Sequence, residues 1–307
     1  MNPEPQSPEQ ADMMRRIENM RRMAQEKDER EGKQLKPAAK KNAEIIQFSL
    51  FPPETRPASN PLVRSSLFAA IRGKDRQLLD NYEVATVDGW KITFSGEQFN
   101  QDDKDTLMQL VFMAGGKSAE EYLTIPAHAI LRALGRDTGG KAHQTLKEEI
   151  ERLVKGTIKL ESKVVDYIGH FIDDATQDKT SRSWVFRINP RFAPLFAEKS
   201  YTLIDWEQRK RLKNKYLARW LQLELATHAA PFARSVDFYR EKSGSRAARL
   251  CDFRKALCSA LNDLKENGDI TGWTIDATDL VHIERIPSLS QQKHITSKTP
   301  TKRPRKG

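Results

Sequence analysis

The sequence has little cysteine, no long apolar run and no metal-ligand spacing, and each shortage excludes a class of protein. Only Cys251 and Cys258 occur in 307 residues. Seven positions apart on one predicted helix, their Cα atoms lie about 10 Å from each other, too far for a disulfide. They read as small packing residues. No stretch approaches the roughly 18 apolar residues of a membrane span, and the opening MNPEPQSPEQADMM has no apolar core for a signal peptide. The expectation is a cytoplasmic protein with no membrane contact. Six histidines fall at no metal spacing and form no His-x-His pair, so no metal and no cofactor are expected. A hydrolase nucleophile motif of the G-x-S-x-G type is missing. Residues 135–141, GRDTGGK, do satisfy G-x-x-x-x-G-K, but Ala142 follows where a Ser or Thr must ligate magnesium. That loop also lies between two predicted helices, not between a strand and a helix. The chain reads as a binder and not as an enzyme.

What the sequence has in excess is positive charge. Fifty-two Lys and Arg against 42 Asp and Glu give a net charge of +10, with a pI near 9.5 and a mean hydropathy of -0.69. A surplus of that size points to a polyanionic partner. Six of the basic residues, with no acid among them, fall between Pro287 and Gly307, whereas residues 1–60 carry eleven basic and ten acidic side chains. The central region is nearly balanced. A nucleic-acid surface there has to come from local arrangement.

Hydrophobic spacing divides the chain into five stretches and predicts an α+β fold. Residues 1–60 form a flexible arm whose one periodic pattern is Met13, Ile17, Met20 and Met23 among arginines, a short marginal helix. Residues 61–80 read as a linker stiffened by the prolines at 52, 53, 57 and 61. Residues 81–198 and 199–286 then read as the same unit twice, and residues 287–307 as a disordered basic tail. In the first unit, runs at 82–87 and 90–95 flank Asp88-Gly89, a two-residue hairpin signal. A helix capped by Asn100 or Asp102 and ended by Gly115-Gly116 follows, then a strand at 122–125, a brief helix opened by Pro126 and a third helix ended by Gly156. Extended runs at 157–160, 167–172 and 184–188 enclose a polar loop near 173–183. The second unit has one helix over 205–227, a short extended piece at 234–236, a brief helix, and a long helix with Leu250, Phe253, Leu257, Leu261 and Leu264 on one face. Strands at 270–275 and 279–286 complete it. Helix, short helix, long helix and hairpin in that order predict tandem winged-helix domains, each a helix-turn-helix plus a β wing.

Such a unit reads duplex DNA by laying its third helix in the major groove, where side chains near the helix start reach base edges. In the second unit the face opposite the apolar stripe carries Ser245, Ala248, Asp252 and Lys255, with Arg249 and Arg254 on its flanks and Arg246 at the entrance. Arginine can pair with guanine O6 and N7 there. In the first unit the matching positions are Lys141, His143, Gln144 and Lys147, with Glu148, Glu149 and Glu151 weakening the field. Lys179 and Arg182, with Arg187 beside them, belong to the first wing and suit a phosphate backbone.

A different signal lies in residues 47–51, Gln-Phe-Ser-Leu-Phe. An apolar pentapeptide in a polar arm must bury itself against its own domain or against a partner. It resembles the bacterial sliding-clamp-binding motif Gln-x-(Ser or Asp)-Leu-Phe. That resemblance implies that Gln47 bonds at the rim of the clamp pocket while Leu50 and Phe51 fill its apolar cleft.

From about residue 47 to 286 the chain resembles the TrfA family of plasmid replication initiators. The likeness rests on the pentapeptide, then RSSLF at 64–68, KITFSG at 91–96, KTSR at 179–182, LFA at 195–197, and the block around Gly244-Ser245, Arg249 and Arg254 that ends in DLVH at 279–282. It implies tandem winged helices that bind repeated origin sequences (iterons), open adjacent AT-rich DNA, and recruit the host's replicative helicase, initiator and sliding clamp; whether the inactive form is a homodimer stays open. A transcriptional repressor is the rival reading, and it leaves residues 47–51 without a purpose. A nickase or ATPase explains only the GRDTGGK loop.

Overall fold

Prolines that suggest a stiff linker turn out to sit where a missing N–H costs nothing. The computed structural model describes residues 47–86, 91–161, 166–196, 200–229, 232–287 and 291–292. The expected Met/Arg helix, the Asp88-Gly89 turn and most of the basic tail lie outside the described residues. Residues 46–307 group as one unit. An extended piece at 47–54 leads into β1 (Thr55–Ser59), the one-turn helix α1 (Asn60–Val63) and β2 (Phe68–Ala69). Pro57 lies in β1, an edge strand, and Pro61 occupies the first turn of α1, where the N–H has no partner in any case. Leu62, Val63, Leu67, Phe68, Ala69 and Ile71 are buried. The stretch at 61–80 therefore supplies core, and the linker expectation is corrected.

β3 (Leu78–Val84) and β4 (Lys91–Glu97) form the expected antiparallel hairpin. After β5 (Phe99–Asn100) comes α2 (Gln101–Met113), started by a capping box: the Asn100 side chain accepts from the Asp102 and Asp103 amides, and Asp103 accepts from the Asn100 amide. β6 (Leu123–Pro126), α3 (Ala127–Ala133) and α4 (Gly140–Lys155) follow. Leu146, Ile150 and Leu153 form the buried stripe of α4 at steps of four and three. The run expected at 167–172 divides into β8 and β9, giving β7 (Thr157–Glu161), β8 (Asp166–Gly169), β9 (Ile172–Gln177) and β10 (Ser183–Ile188). Much of the predicted polar loop is therefore strand.

β11 (Tyr201–Asp205) pairs along its whole length with β1. The single helix expected over 205–227 is two, α5 (Trp206–Arg211) and α6 (Tyr216–Ala226), separated by a turn in which Lys213 takes a φ of 40°. The break brings Arg209 and Arg219 onto the same carboxylate, which a straight helix with the two ten positions apart would not do. β12 (Arg234–Ser235), α7 (Val236–Lys242), α8 (Leu250–Asn267), β13 (Gly272–Ile275) and β14 (Leu280–Glu284) complete the order. α8 ends at Gly268, whose φ of 84° is the left-handed cap that glycine adopts without strain.

The two halves repeat one topology. α2–β6–α3–α4–β9–β10 makes a three-stranded sheet ordered β6-β10-β9, and α6–β12–α7–α8–β13–β14 makes one ordered β12-β14-β13. In both, the short strand pairs with the last strand of the hairpin. The first half alone carries an additional sheet, β3-β4-β7-β8. Its core is aromatic: Phe68 and Phe99 stack at 5.2 Å, Phe94 meets Phe99 at 4.7 Å, and Phe171 meets Phe192 at 4.8 Å. The second core is built on Trp220, Leu221, Tyr239, Phe253, Leu257 and Leu261.

Paired charges run through the seam between the halves, beside Leu223 of α6, which packs into the first core. Arg209 of α5 donates to Asp105 at 2.8 Å and to the Gln101 side chain at 2.8 Å. Arg219 of α6 reaches Asp105 at 2.7 Å and Asp102 at 2.6 Å, and Tyr216 donates to Asp102 at 2.8 Å. Both guanidinium groups are buried, and two carboxylates of the first turns of α2 balance them. Segment 55–70 adds further ties: Arg64 donates to the Thr227 carbonyl at 2.8 Å, and the Ala70 amide donates to the Ser243 carbonyl at 2.7 Å.

Candidate nucleic-acid interface

The third helix of each half, α4 and α8, begins without a side-chain cap. Gly139 and Arg249 occupy the N-cap positions with no side-chain hydrogen bond to a first-turn amide, as do Pro126 of α3 and Lys215 of α6, whereas α2, α5 and α7 are capped by Asn100, Asp205 and Ser235. Amides left free in a first turn, at the positive end of the helix dipole, suit an anion such as a phosphate.

On α4, Lys141 and Gln144 are exposed and His143 is half-buried at the start of the helix. Gln144 donates to Glu148 at 2.9 Å, and Lys147 faces Glu151 at 3.8 Å. Two of the four predicted positions are thus engaged along their own helix, which leaves Lys141 and His143 foremost. Glu149, read as part of the acidic face, is buried instead: it accepts from Thr106 at 2.6 Å and from Arg136 at 2.7 Å, and burial pushes its carboxyl up to about 7 against the pull of Arg136. The acidic side of α4 is weaker than the sequence suggests.

On α8, Arg249 is three-quarters exposed and holds Asp252 at 2.7 Å. Lys255 is exposed one turn further on, and Ser245 lies in the turn before the helix. Arg254 forms an ion pair with Asp279 at the tip of the β13–β14 hairpin, joining helix to wing. Arg246 points the other way: it donates to the Asp75 carbonyl and the Gln98 side chain of the first half. It serves as an inter-half tie in this arrangement. Lys179 and Arg182 are exposed at the tip of the β9–β10 hairpin, where Asp178 holds the turn through the Thr180 amide at 2.8 Å and the Ser181 hydroxyl at 2.7 Å. Arg187 is engaged by Asp173 at 2.9 Å and lies over the Tyr122 ring.

A cavity of about 780 Å³ opens where α4, the GRDTGGK loop and α5–α6 meet. Lys141, Lys210 and Lys213 lie on it beside the paired Arg136 and Arg219. The pairing of the basic α5–α6 segment with the carboxylates of α2 is not visible in the sequence, because neither partner is near the other in the chain. Among the described residues there is no cluster of His, Cys, Asp and Glu that could hold a metal ion, and no helix is long and apolar enough to cross a membrane. Cys251 and Cys258 lie on α8 as free thiols.

One order of helix, short strand, two helices and hairpin thus occurs twice in the chain, in an α+β fold. The chain belongs to the TrfA family of plasmid replication initiators, whose sequence profile matches residues 16–285. Among solved structures, domains 2 and 3 of RctB share the fold, with a TM-score of 0.50 at 14% identity over 71% of this chain and 94% of that one. The Pi initiator protein, solved in complex with iteron DNA, is similar at a TM-score of 0.46 and 16% identity, over 59% of this chain and 90% of that one. No curated protein matches the chain.

Proposed function

We propose that the protein is a non-enzymatic initiator that binds repeated origin sequences through two winged helices and recruits the host replication machinery. The observation that carries this reading is the repeat itself: one order of elements and one strand order occur twice, and each third helix presents an uncapped start beside exposed basic residues. On α4 the contacts to bases and phosphates come from Lys141 and His143, with Gln144 and Lys147 released from Glu148 and Glu151. On α8 they come from Ser245, Arg249, Arg254 and Lys255. Lys179 and Arg182 follow the phosphate backbone along the first wing. Joining two modest modules in one chain raises affinity without any new contact.

The partners that fit this reading are iteron DNA, a bacterial sliding clamp engaged by Gln47, Leu50 and Phe51, the replicative helicase and the host initiator, in the cytoplasm. The test is replication of a plasmid that carries the repeats and depends on this protein in trans. Loss of replication on changing Arg249 and Lys255 to alanine, with the protein still folded, supports the reading. Wild-type protein that binds the repeats but is dispensable for replication would make it a repressor instead.

A further inference from the structure

The apolar pentapeptide at 47–51, expected on a flexible arm, is docked on the protein's own first half. The Phe48 amide donates to the Lys117 carbonyl at 3.2 Å, the Gly116 amide donates to the Phe48 carbonyl at 2.8 Å, and Gln47 pairs with Ser118 in an antiparallel bridge. Phe48 is 4% exposed and meets the Phe196 ring edge-on at 6.5 Å. Phe51 is 8% exposed and meets Tyr201 edge-on at 5.3 Å. Gln47 and Leu50 stay exposed, Leu50 at 81%.

The seat is made of glycine. A Cβ on Gly115 would stand 3.0 Å from the Ser49 carbonyl oxygen, and one on Gly116, whose φ is +76°, would stand 2.9 Å from a Leu50 methyl. A side chain at Gly115 would crowd the backbone of the strand, whereas one at Gly116 would meet only the end of the exposed Leu50 side chain and would be opposed by the positive φ. The same five residues therefore have two mutually exclusive uses. A partner cleft that takes Leu50 and Phe51 together needs the Phe51 ring, and that ring is inside this protein.

We propose that residues 47–51 form a latch: the slot between Gly115-Gly116, Phe196 and Tyr201 competes with the clamp cleft for the same strand, and the chain engages the clamp only in the fraction of molecules whose strand has left the slot. This rests on the clamp reading above and adds its regulation. Only the free fraction binds, so the apparent dissociation constant is the intrinsic one divided by that fraction. Phe48 separates the two uses. It fills the slot but occupies the variable position of the clamp motif, so Phe48→Ser weakens docking and leaves the clamp contacts intact.

The experiment compares a purified bacterial sliding clamp against the full chain, the full-length Phe48→Ser variant and a free peptide of residues 45–53, with amide exchange of Phe48 and Gly116 followed in both proteins. DNA binding checks that the variant is folded, and Gly115→Ala, whose added Cβ would crowd the Ser49 carbonyl, provides a second way to empty the slot. The latch predicts that the variant binds the clamp at least tenfold more tightly than the wild type and close to the peptide, and that protection of both amides falls. Equal binding by wild type, variant and peptide overturns the latch and keeps the clamp reading. A peptide that does not bind the clamp overturns both. Unprotected amides in the wild type overturn the docked state itself.

Discussion

Lys104 is the residue whose surroundings depart most from its chemistry. It lies on α2 with its ammonium 4.7 Å over the Phe68 ring, it is buried, and it has no ion-pair partner among the described residues. Burial, reinforced by Arg209 nearby, lowers its pKa to about 7. An unfolded lysine titrates near 10.4. Between those values the unfolded chain binds more protons than the folded one, so stability rises from about pH 7 to about pH 10 and is lost again as the pH falls back through 7. Lys104→Met should raise the unfolding free energy at pH 7 by about 1–3 kcal/mol and flatten that rise, as measured by urea unfolding at pH 7 and pH 9. A variant that loses stability at pH 7 would mean that the ammonium has a partner of its own. Arg249 makes the other residue-scale prediction. Arg249→Ala should weaken binding to a cognate duplex by about 1–3 kcal/mol while hardly changing binding to random DNA, in parallel anisotropy titrations. Equal losses on both would make it a phosphate contact. The exposure of Arg249 was legible in the sequence, but the burial of Lys104 was not, since a lysine between Asp103 and Asp105 reads as a solvated charge run.

At the scale of elements, the pieces set by local chemistry were legible and those set by distant pairing were not. The Asn100 cap, the Gly156 and Gly268 stops, and the apolar stripes of α4 and α8 all follow from residues within one or two turns of each other. The β1–β11 pair, the β4–β7 pair and the break between α5 and α6 follow from partners 50 to 150 positions away, and hydrophobic spacing carries no record of them. The prolines misled because their meaning depends on whether an N–H is needed, which only the partner strand decides. The α2–α5–α6 seam gives a direct check. Asp105→Ala leaves Arg209 and Arg219 buried with one carboxylate between them, and should cost about 3–5 kcal/mol in urea unfolding. A loss below about 1 kcal/mol would show that the seam is hydrated and open. The β9–β10 wing makes a contrasting element-scale prediction. Changing Lys179 and Arg182 to alanine should weaken cognate and random DNA alike and make the slope of log K against log salt shallower by about 1–2. A loss confined to the cognate site would assign the wing a base contact.

The whole molecule combines two similar heads with a seam of paired charges and the strap at 55–70 that ties into both. Chain order and composition were enough to see the repeat, because each head is assembled from neighbouring segments. The interface between the heads was not visible, because its charges are complementary only after folding brings α2 against α6. Arg246 shows the consequence for the site: on sequence grounds it belongs at the DNA, and the folded chain spends it on Asp75 and Gln98. The central claim is that one chain reads one DNA site with two helices held in fixed register. Selection of duplexes by the full-length protein from a random pool tests it most directly. The account predicts two blocks of enriched sequence at one fixed separation of about one helical turn, 10–10.5 base pairs. A single enriched block, two blocks at freely varying separation, or no enrichment over random DNA would contradict it.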